Sequence, residues 1–478
     1  MPDEKKNVKE ITAMDKDFAR WYTDIVKKAG LMEYSSVRGC MIIEPYGYAI
    51  WENIQKILDK KFKETGHVNV MMPMFIPESL LQKEKNHIEG FAPEVAWVTH
   101  GGEEELQERL CVRPTSETLF CDYYSKVIHS WRDLPKLYNQ WCSVVRWEKT
   151  TRPFLRSCEF LWQEGHTVHE NKVEAEQETQ KMLDVYANFF KEHLSIPTLR
   201  GRKTEKEKFA GAEYTLTIEA MMHDGRALQS GTSHFFGDKF AKAFDIKYQN
   251  RENKSAYPFQ TSWGMTTRVI GAIIMVHGDD IGLVLPPDIA PLQIVIIPIN
   301  SKNVAVQNTV NTVYEKLRKN YRVKVDNSEQ SPGWKFAEYE MKGVPLRIEI
   351  GPRDVENRKC VVVRRDTGEK ITNELDNIDS NISVHIDKIK KDMYNKALMR
   401  METMTYEAKN FDDLKETSKK PGFIKTMWCG STKCEEKVKE ETGLTSRCIP
   451  LDIYKNIDEH CAICGKKAQA IVYWGKSY

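Results

Sequence analysis

The run Val144-Val-Arg146-Trp-Glu148-Lys-Thr-Thr-Arg152-Pro-Phe154-Leu-Arg156-Ser-Cys-Glu159-Phe160-Leu-Trp162-Gln-Glu164-Gly-His166 constrains the fold more than any other stretch of the chain. Side chains two apart on a strand share a face, so the pattern predicts a β-hairpin whose first strand presents Arg146 and Glu148 to one side. The connection carries Lys149 and Arg152, and the returning strand is expected to supply Arg156, Phe160 and Glu164 at four-residue steps. Arg forks onto phosphate or carboxylate, an aromatic ring stacks on a purine, and a Glu accepts from an exocyclic amine. Such a set suits a nucleoside triphosphate. On composition alone the same residues better suit cross-strand ion pairs on a solvated sheet face.

At 478 residues the chain has room for about three domains. With 41% hydrophobic and 29% charged residues it is neither disordered, collagenous nor disulfide-stapled. Lys+Arg 71 against Asp+Glu 69 excludes a histone-like binder, yet leaves room for a basic face opposite an acidic one. Eleven scattered Cys, an odd number, argue for a reducing cytosol. The polar N-terminus has no apolar leader, and no apolar stretch approaches the roughly 20 residues of a membrane span, so a cytoplasmic protein with no membrane partner is expected.

Phe18, Trp21, Ile25 and Val26 predict a helix ended by Gly30, and Ile50, Trp51, Ile54, Ile57, Leu58 and Phe62 a longer one over 44–65, followed by a strand over 67–73. Residues 85–285 read as a mainly antiparallel sheet with helical cover, including a helix over 173–192. Pro286, Pro287 and Pro291 mark a boundary. Beyond it, strands at 293–298, 322–325 and 345–350 alternate with helices, the pattern of a small α/β domain. A charged helix over 382–409 leads to a third unit starting near Phe423. The expected division is an α+β domain over 1–286, an α/β domain over 287–400 and a small α+β domain over 401–478.

Arg146-x-Glu148, a connection, and Arg156-x3-Phe160-x3-Glu164 resemble motif 2 of class II aminoacyl-tRNA synthetases. Ser262-Trp-Gly264-Met-Thr266-Thr-Arg268 is similar to their motif 3, and the long helix and strand from Glu44 to Pro73 to motif 1, the dimer element. The three stand in the family's order. Arg113-Pro-Thr115-Ser-Glu117, Phe154 through His166, and Gln229-Ser-Gly-Thr232-Ser-His234 resemble prolyl-tRNA synthetases in particular, and the similarity runs along essentially the whole chain.

That resemblance implies a homodimeric ligase that joins L-proline and ATP, with Mg²⁺, to prolyl-adenylate and passes the prolyl group to tRNA(Pro). It implies that Arg146 holds the α-phosphate and the amino-acid carboxylate, Glu148 reads the adenine amine and Phe160 stacks on the base. Arg156 and Arg268 would grip the outer phosphates, with Gln229, Thr232 and Thr266 on the nucleotide and its metal. Thr115 and Glu117 would take the proline nitrogen, His234 would lie near the amino acid, and Phe91, Trp162, Glu164 and His166 would form or brace the ring pocket. The 97 residues between Glu164 and Ser262 cannot contain the large editing insertion of bacterial-type enzymes, so the chain resembles the archaeal and eukaryotic type. A proline-sized pocket rejects smaller side chains weakly, at about 1–3 kcal/mol per methylene, so weak activation of alanine and cysteine is expected, with any correction left to a separate protein. A synthetase-like binder without catalysis, and a sister enzyme for another amino acid, are the competing readings.

The second unit resembles the anticodon-binding domain of the same subclass, with Phe336, Glu340, Arg347 and Lys359 as base-reading candidates. Cys429-x4-Cys434 and Cys461-x2-Cys464 form two close pairs, the pattern of a closed structural Zn²⁺ site, with Cys448 outside it. The aromatic end Tyr473-Trp-Gly-Lys-Ser-Tyr478 is implied by the resemblance to dock back on the first domain.

Overall fold

The structure, a computed structural model, describes residues 10–83, 95–451 and 459–478. After the helix Phe18–Lys28 come a short ribbon, β1 (Met32–Tyr34) and β2 (Met41–Ile43), and the helix Pro45–Glu64. Pro45 opens that helix where a missing N–H costs nothing, and Ile50, Trp51, Ile54, Leu58 and Phe62 form its buried stripe. Strand β3 (Val68–Asn69) follows, then a three-stranded antiparallel sheet of β4 (Phe75–Pro77), β5 (Ala96–Gly101) and β6 (Glu104–Val112). The strand expected over 67–73 shrinks to two residues. The cause lies beyond it: the carbonyls of Met72 and Pro73 accept from the buried Arg113 guanidinium instead of from a neighbouring strand.

The centre of the first unit is a sheet built from β7 (Lys136–Val145), β8 (Glu159–His169), β9 (Thr198–Arg202), β10 (Tyr214–Met221) and β11 (Ala227–Gly237), a small ribbon β12 (Tyr248–Gln249) and β13 (Ser255–Ala256) standing apart before β14 (Phe259–Thr266) completes it. Neighbours β9, β10, β11, β14, β8 and β7 are antiparallel throughout. The helix Lys172–Glu192, capped by Asn171, lays Met182, Leu183, Tyr186, Phe189 and Phe190 on the face away from the cleft. The helix Arg268–His277 is buried from Val269 to His277 and fills the core between that sheet and the N-terminal helices. Trp263 lies across β8, where a Cβ on Gly165 would come within 2.1 Å of its ring, so only glycine fits opposite it.

The second unit has β15 (Ile294–Pro298), β16 (Val323–Val325), β17 (Leu346–Ile350), β18 (Lys359–Arg364) and β19 (Lys370–Glu374) in the order β16-β15-β17-β18-β19. The three parallel strands are those the sequence pattern predicts. The antiparallel hairpin β18–β19, which that pattern did not show, makes the sheet mixed. The third unit comprises β20 (Thr405–Glu407), β21 (Phe423–Trp428), β22 (Thr445–Pro450) and β23 (Ala470–Gly475). It starts before Phe423, because the helix Ile378–Thr403 stops short of the expected 409 and Thr405–Glu407 pairs in parallel with Phe423–Lys425. Strand β22 also pairs with β9, so the first and third units share one sheet of eleven strands. No helix among the described residues is long and apolar enough to cross a membrane.

Candidate active site

The hairpin β7–β8 is the foundation of the site. Its register sets Val144 opposite Phe160, Cys142 opposite Trp162, Gln140 opposite Glu164 and Tyr138 opposite His166. Alternation then turns Phe160, Trp162, Glu164 and His166 to one face, and all four line a cleft of about 270 Å³. Arg146 and Glu148 lie just past the end of β7, and Arg156 just before β8, so all three belong to the connection and Arg156 is not on the returning strand. Pro153 cannot donate to a ladder and Phe154 takes a left-handed backbone, φ 59°, so the strands part and the connection folds over the cleft.

The remaining candidates arrive from three other elements. Thr115 and Glu117 stand at the start of the helix Glu117–Val127, Gln229, Thr232 and His234 on β11, and Thr266 and Arg268 where β14 passes into its helix. Every candidate for the nucleotide and amino acid lines this one cleft except Phe91, which lies outside the described residues.

Positive charge gathers at one end. Arg146 donates to the Pro114 carbonyl at 3.1 Å and lies 5.5 Å from the ring centres of both Phe160 and Trp162. Arg156 sits 3.7 Å from the Glu148 carboxylate. Arg268 donates to the Leu155 carbonyl at 3.2 Å, and burial, with Arg146 and Arg156 nearby, lowers its pKa to about 10, still charged at neutral pH. Three guanidinium groups whose mutual repulsion is felt in a pKa form a ready site for a polyanion.

The other end is uncharged or anionic. The Thr115 hydroxyl donates to the Glu117 carboxylate, and Ser262 Oγ approaches it at 3.4 Å. Glu164 is a buried hub that accepts from Ser116 Oγ at 2.5 Å, Ser116 N at 3.2 Å and Gln140 Nε2 at 2.6 Å, with His166 Nε2 at 2.9 Å. Burial pushes its carboxyl up, but the His166 ring, Ser116 and Gln140 together hold it below the ordinary value, so it stays ionised. Burial, then His166, lowers His234 to about 3, leaving it a neutral ring that contacts Thr215 Oγ1 at 2.9 Å and packs on Phe209 at 4.6 Å. Trp162 is pinned by its indole N–H donating to Cys142 Sγ at 3.2 Å.

Sequence reasoning missed Lys203, Phe209 and Thr215, which also line the cleft, and Gln140, which holds Glu164. Residues 203–213 carry no periodicity that would reveal Lys203 or Phe209. Gln140 has a signal only in hindsight, since it is the cross-strand partner of Glu164.

In the second unit Arg347 stacks 4.1 Å from the Phe336 ring centre and pairs with Glu340 at 2.8 Å and Glu349 at 2.9 Å. Phe336, Glu340 and Arg347 therefore converge. Lys359 is apart, at the start of β18, paired with Glu374 of β19 at 3.4 Å. In the third unit one ligand atom from each of Cys429, Cys434, Cys461 and Cys464 lies within 4.8 Å of the others. Cys429 Sγ is 3.6 Å from both Cys434 Sγ and Cys464 Sγ. A tetrahedral zinc with bonds of about 2.3 Å would set its sulfurs about 3.8 Å apart, so the donor set is consistent with a structural zinc site. Cys448 is buried elsewhere, against Gly201. The Tyr478 hydroxyl donates to Asp224 at 2.5 Å, and its ring lies between the guanidinium groups of Arg226 and Arg152, so the C-terminus docks on the first unit.

Residues 97–277 match the family described as "tRNA synthetase class II core domain (G, H, P, S and T)", 293–391 "Anticodon binding domain" and 411–478 "Prolyl-tRNA synthetase, C-terminal". Proline–tRNA ligases of Lachnoclostridium phytofermentans and Clostridium novyi are each 63% identical over 479 residues, covering 100% of both chains. Proline–tRNA ligase 2 of Bacillus cereus is 59% identical over 475 residues, covering 99% of this chain and 100% of its own. The crystal structure of prolyl-tRNA synthetase from Cryptosporidium parvum complexed with halofuginone and AMPPNP superposes with a TM-score of 0.95 at 40% identity, covering 98% of this chain and 99% of that one.

Proposed function

The chain belongs to the prolyl-tRNA synthetase family and is a proline–tRNA ligase, and on that premise we propose how its cleft divides the work. Arg146 holds the α-phosphate and the proline carboxylate together, Glu148 accepts from the adenine amine and Phe160 stacks on the base. Arg156 and Arg268 take the outer phosphates, with Gln229, Thr232 and Thr266 along the nucleotide. Thr115 and Glu117 receive the secondary ammonium of proline, Trp162 and His234 wall its ring, and Glu164 with His166 braces that wall. What supports this division is the polarity of one cavity: three guanidinium groups at one end and the Glu117–Thr115 pair at the other.

In the first step the proline carboxylate attacks the α-phosphorus in line and pyrophosphate leaves; in the second the terminal hydroxyl of tRNA attacks the adenylate carbonyl, the acyl–phosphate bond breaks and AMP leaves. Neither needs a side-chain nucleophile. Arg146 touches both reacting groups, and such positioning supplies about 7–11 kcal/mol of a barrier. Arg268 and Arg156 neutralise charge as it builds on the leaving pyrophosphate. Gln229 and Thr232 would hold Mg²⁺ beside the nucleotide, where it would supply further charge neutralisation. Cys429, Cys434, Cys461 and Cys464 would hold Zn²⁺ as thiolates, in a structural role.

The three units act as a catalytic domain over 1–286, an anticodon-binding domain over 287–400 with Phe336, Glu340, Arg347 and Lys359 toward tRNA, and a zinc domain over 401–478. The enzyme works as a cytoplasmic homodimer through the first motif, where Val68, Met71, Met74 and Phe75 leave apolar surface exposed. Alanine and cysteine are activated weakly, with correction by a separate protein. ATP–pyrophosphate exchange with each of the twenty amino acids tests the cleft: proline should drive it, with weak alanine and cysteine signals. Exchange driven by another amino acid would overturn the pocket assignment. Equilibrium sedimentation of an active monomer would overturn the dimer.

A further inference from the structure

Where the third unit meets the first, three charged side chains are buried together. Glu219 on β10 is fully buried, Arg447 on β22 is 5% exposed and Lys203, just beyond β9, is 3% exposed. Lys203 Nζ donates to Glu219 Oε1 at 2.7 Å and to the Arg447 carbonyl at 3.0 Å. Arg447 donates to Glu219 Oε2 from Nε at 3.1 Å and from Nη2 at 2.9 Å. Two cations thus share one carboxylate, leaving a net positive charge that burial cannot dilute.

Three details aim this cluster at the cleft. Both pairing registers slip at it, between Ile218 and Glu219 on β10 and between Ser446 and Cys448 on β22, and such bulges re-aim a side chain. Glu219 stands opposite Gln229 across β10–β11, and Lys203 lines the same cavity as Gln229, Thr232 and Arg268. A Cβ on Gly201 would sit 2.7 Å from the Ile449 carbonyl, so the close approach of β22 to β9 is built into the backbone. Beside the cluster, Glu435, the neighbour of Cys434, accepts from Thr204 at 2.8 Å and from Ser446 at 2.6 Å.

We propose that the C-terminal unit is a working part of the nucleotide site: Arg447 is a positioning residue that, by sharing Glu219, keeps that carboxylate from fully cancelling the charge of the Lys203 ammonium, which then acts on the polyphosphate in the cleft. Without Arg447, Glu219 and Lys203 form a neutral one-to-one pair and that charge is cancelled. The inference rests on the assignment of this end of the cleft to ATP.

The test uses the full-length enzyme in proline-dependent ATP–pyrophosphate exchange. Arg447→Met should raise KM for ATP about fivefold while KM for proline stays within about twofold, and Arg447→Lys, which keeps the charge, should recover most of the loss. Lys203→Met should give the same ATP-selective rise, and the double variant should be no worse than Lys203→Met alone. Equal rises in both KM values, or additive effects in the double variant, would reject the proposal. If Arg447→Met fails to fold, Arg447→Gln takes its place under the same criteria: an unchanged KM for ATP, or a double variant with Lys203→Met that is worse than Lys203→Met alone, would reject the proposal. Arg268→Ala run in parallel separates the two layers: if it raises KM for ATP and Arg447→Met does not, only this inference falls, and if Arg268→Ala leaves that KM unchanged, the ATP assignment itself falls.

Discussion

A carboxylate at the first position of a helix is stabilised by the unpaired N–H groups there, and Glu117 occupies that position on the helix Glu117–Val127 while Thr115 donates to it. The group is therefore held in place beside the cleft, where it can pair with a cationic nitrogen. Glu117→Gln should raise KM for proline by roughly tenfold or more and leave KM for ATP near its normal value, because a charge-assisted hydrogen bond is about twice as strong as a neutral one. Proline and ATP titrations of pyrophosphate exchange check this, and equal changes in both would mean that Glu117 is a structural cap only. Individual residues such as Glu117, Arg146 and Arg268 were legible in the sequence because short motifs carry them. Lys203 and Phe209 were not, because only their closeness in space to residues far along the chain makes them part of the cleft, and Gln140 was not, because its role is to hold Glu164 from the facing strand.

Among elements, the helices were read most closely. The expected helix over 173–192 is Lys172–Glu192, since its apolar stripe repeats locally and Asn171 caps it. Strands were read less well where their pairing is distant: β18 and β19 stabilise each other and close a mixed sheet, and β20 exists only because β21 lies beside it. The third unit's elements are short, and its cluster of buried residues is small. Cys461→Ser should therefore release the metal and unfold this region, seen as loss of stoichiometric zinc by elemental analysis and a lower melting temperature. Zinc retained at one per chain would show that Cys461 is not a ligand.

For the whole molecule, the joins between units decide behaviour. Arg365 pairs bidentately with Asp279 at 2.6 and 2.8 Å, tying β18–β19 to the end of the helix that begins at Arg268, and Tyr478 rests against Arg152 of the hairpin connection. Deleting Tyr478 should lower kcat/KM for exchange by about threefold to tenfold, because Arg152 loses a packed neighbour that steadies the connection; unchanged kinetics would mean the docking is passive. Acid sensitivity is also a property of the whole. Burial depresses His169 to about 4 and His223, His234 and His277 to about 3, against an ordinary 6.5. Below pH 6.5 the unfolded chain takes up protons that the folded chain refuses, so stability is full above that value and falls as the pH drops, by about 1.4 kcal/mol per pH unit for each histidine. Urea unfolding at pH 7.5 and 5.5 should show that loss, and His277→Gln should reduce its slope by about one proton; an unchanged slope would mean that His277 titrates normally.

By itself the sequence determined the family chemistry, the three-part division, the long helices and the cysteine quartet, because motifs, helical periodicity and ligand spacing are local and survive reading along one dimension. Tertiary structure alone decided that Arg156 lies in the connection and not on a strand, that β22 joins the sheet of the first unit, and that Arg447 and Lys203 share Glu219. The first outcome depends on where the β7–β8 ladder ends, and the other two on close backbone approach and burial of charge between segments more than two hundred residues apart; none of these leaves a periodic trace in the sequence.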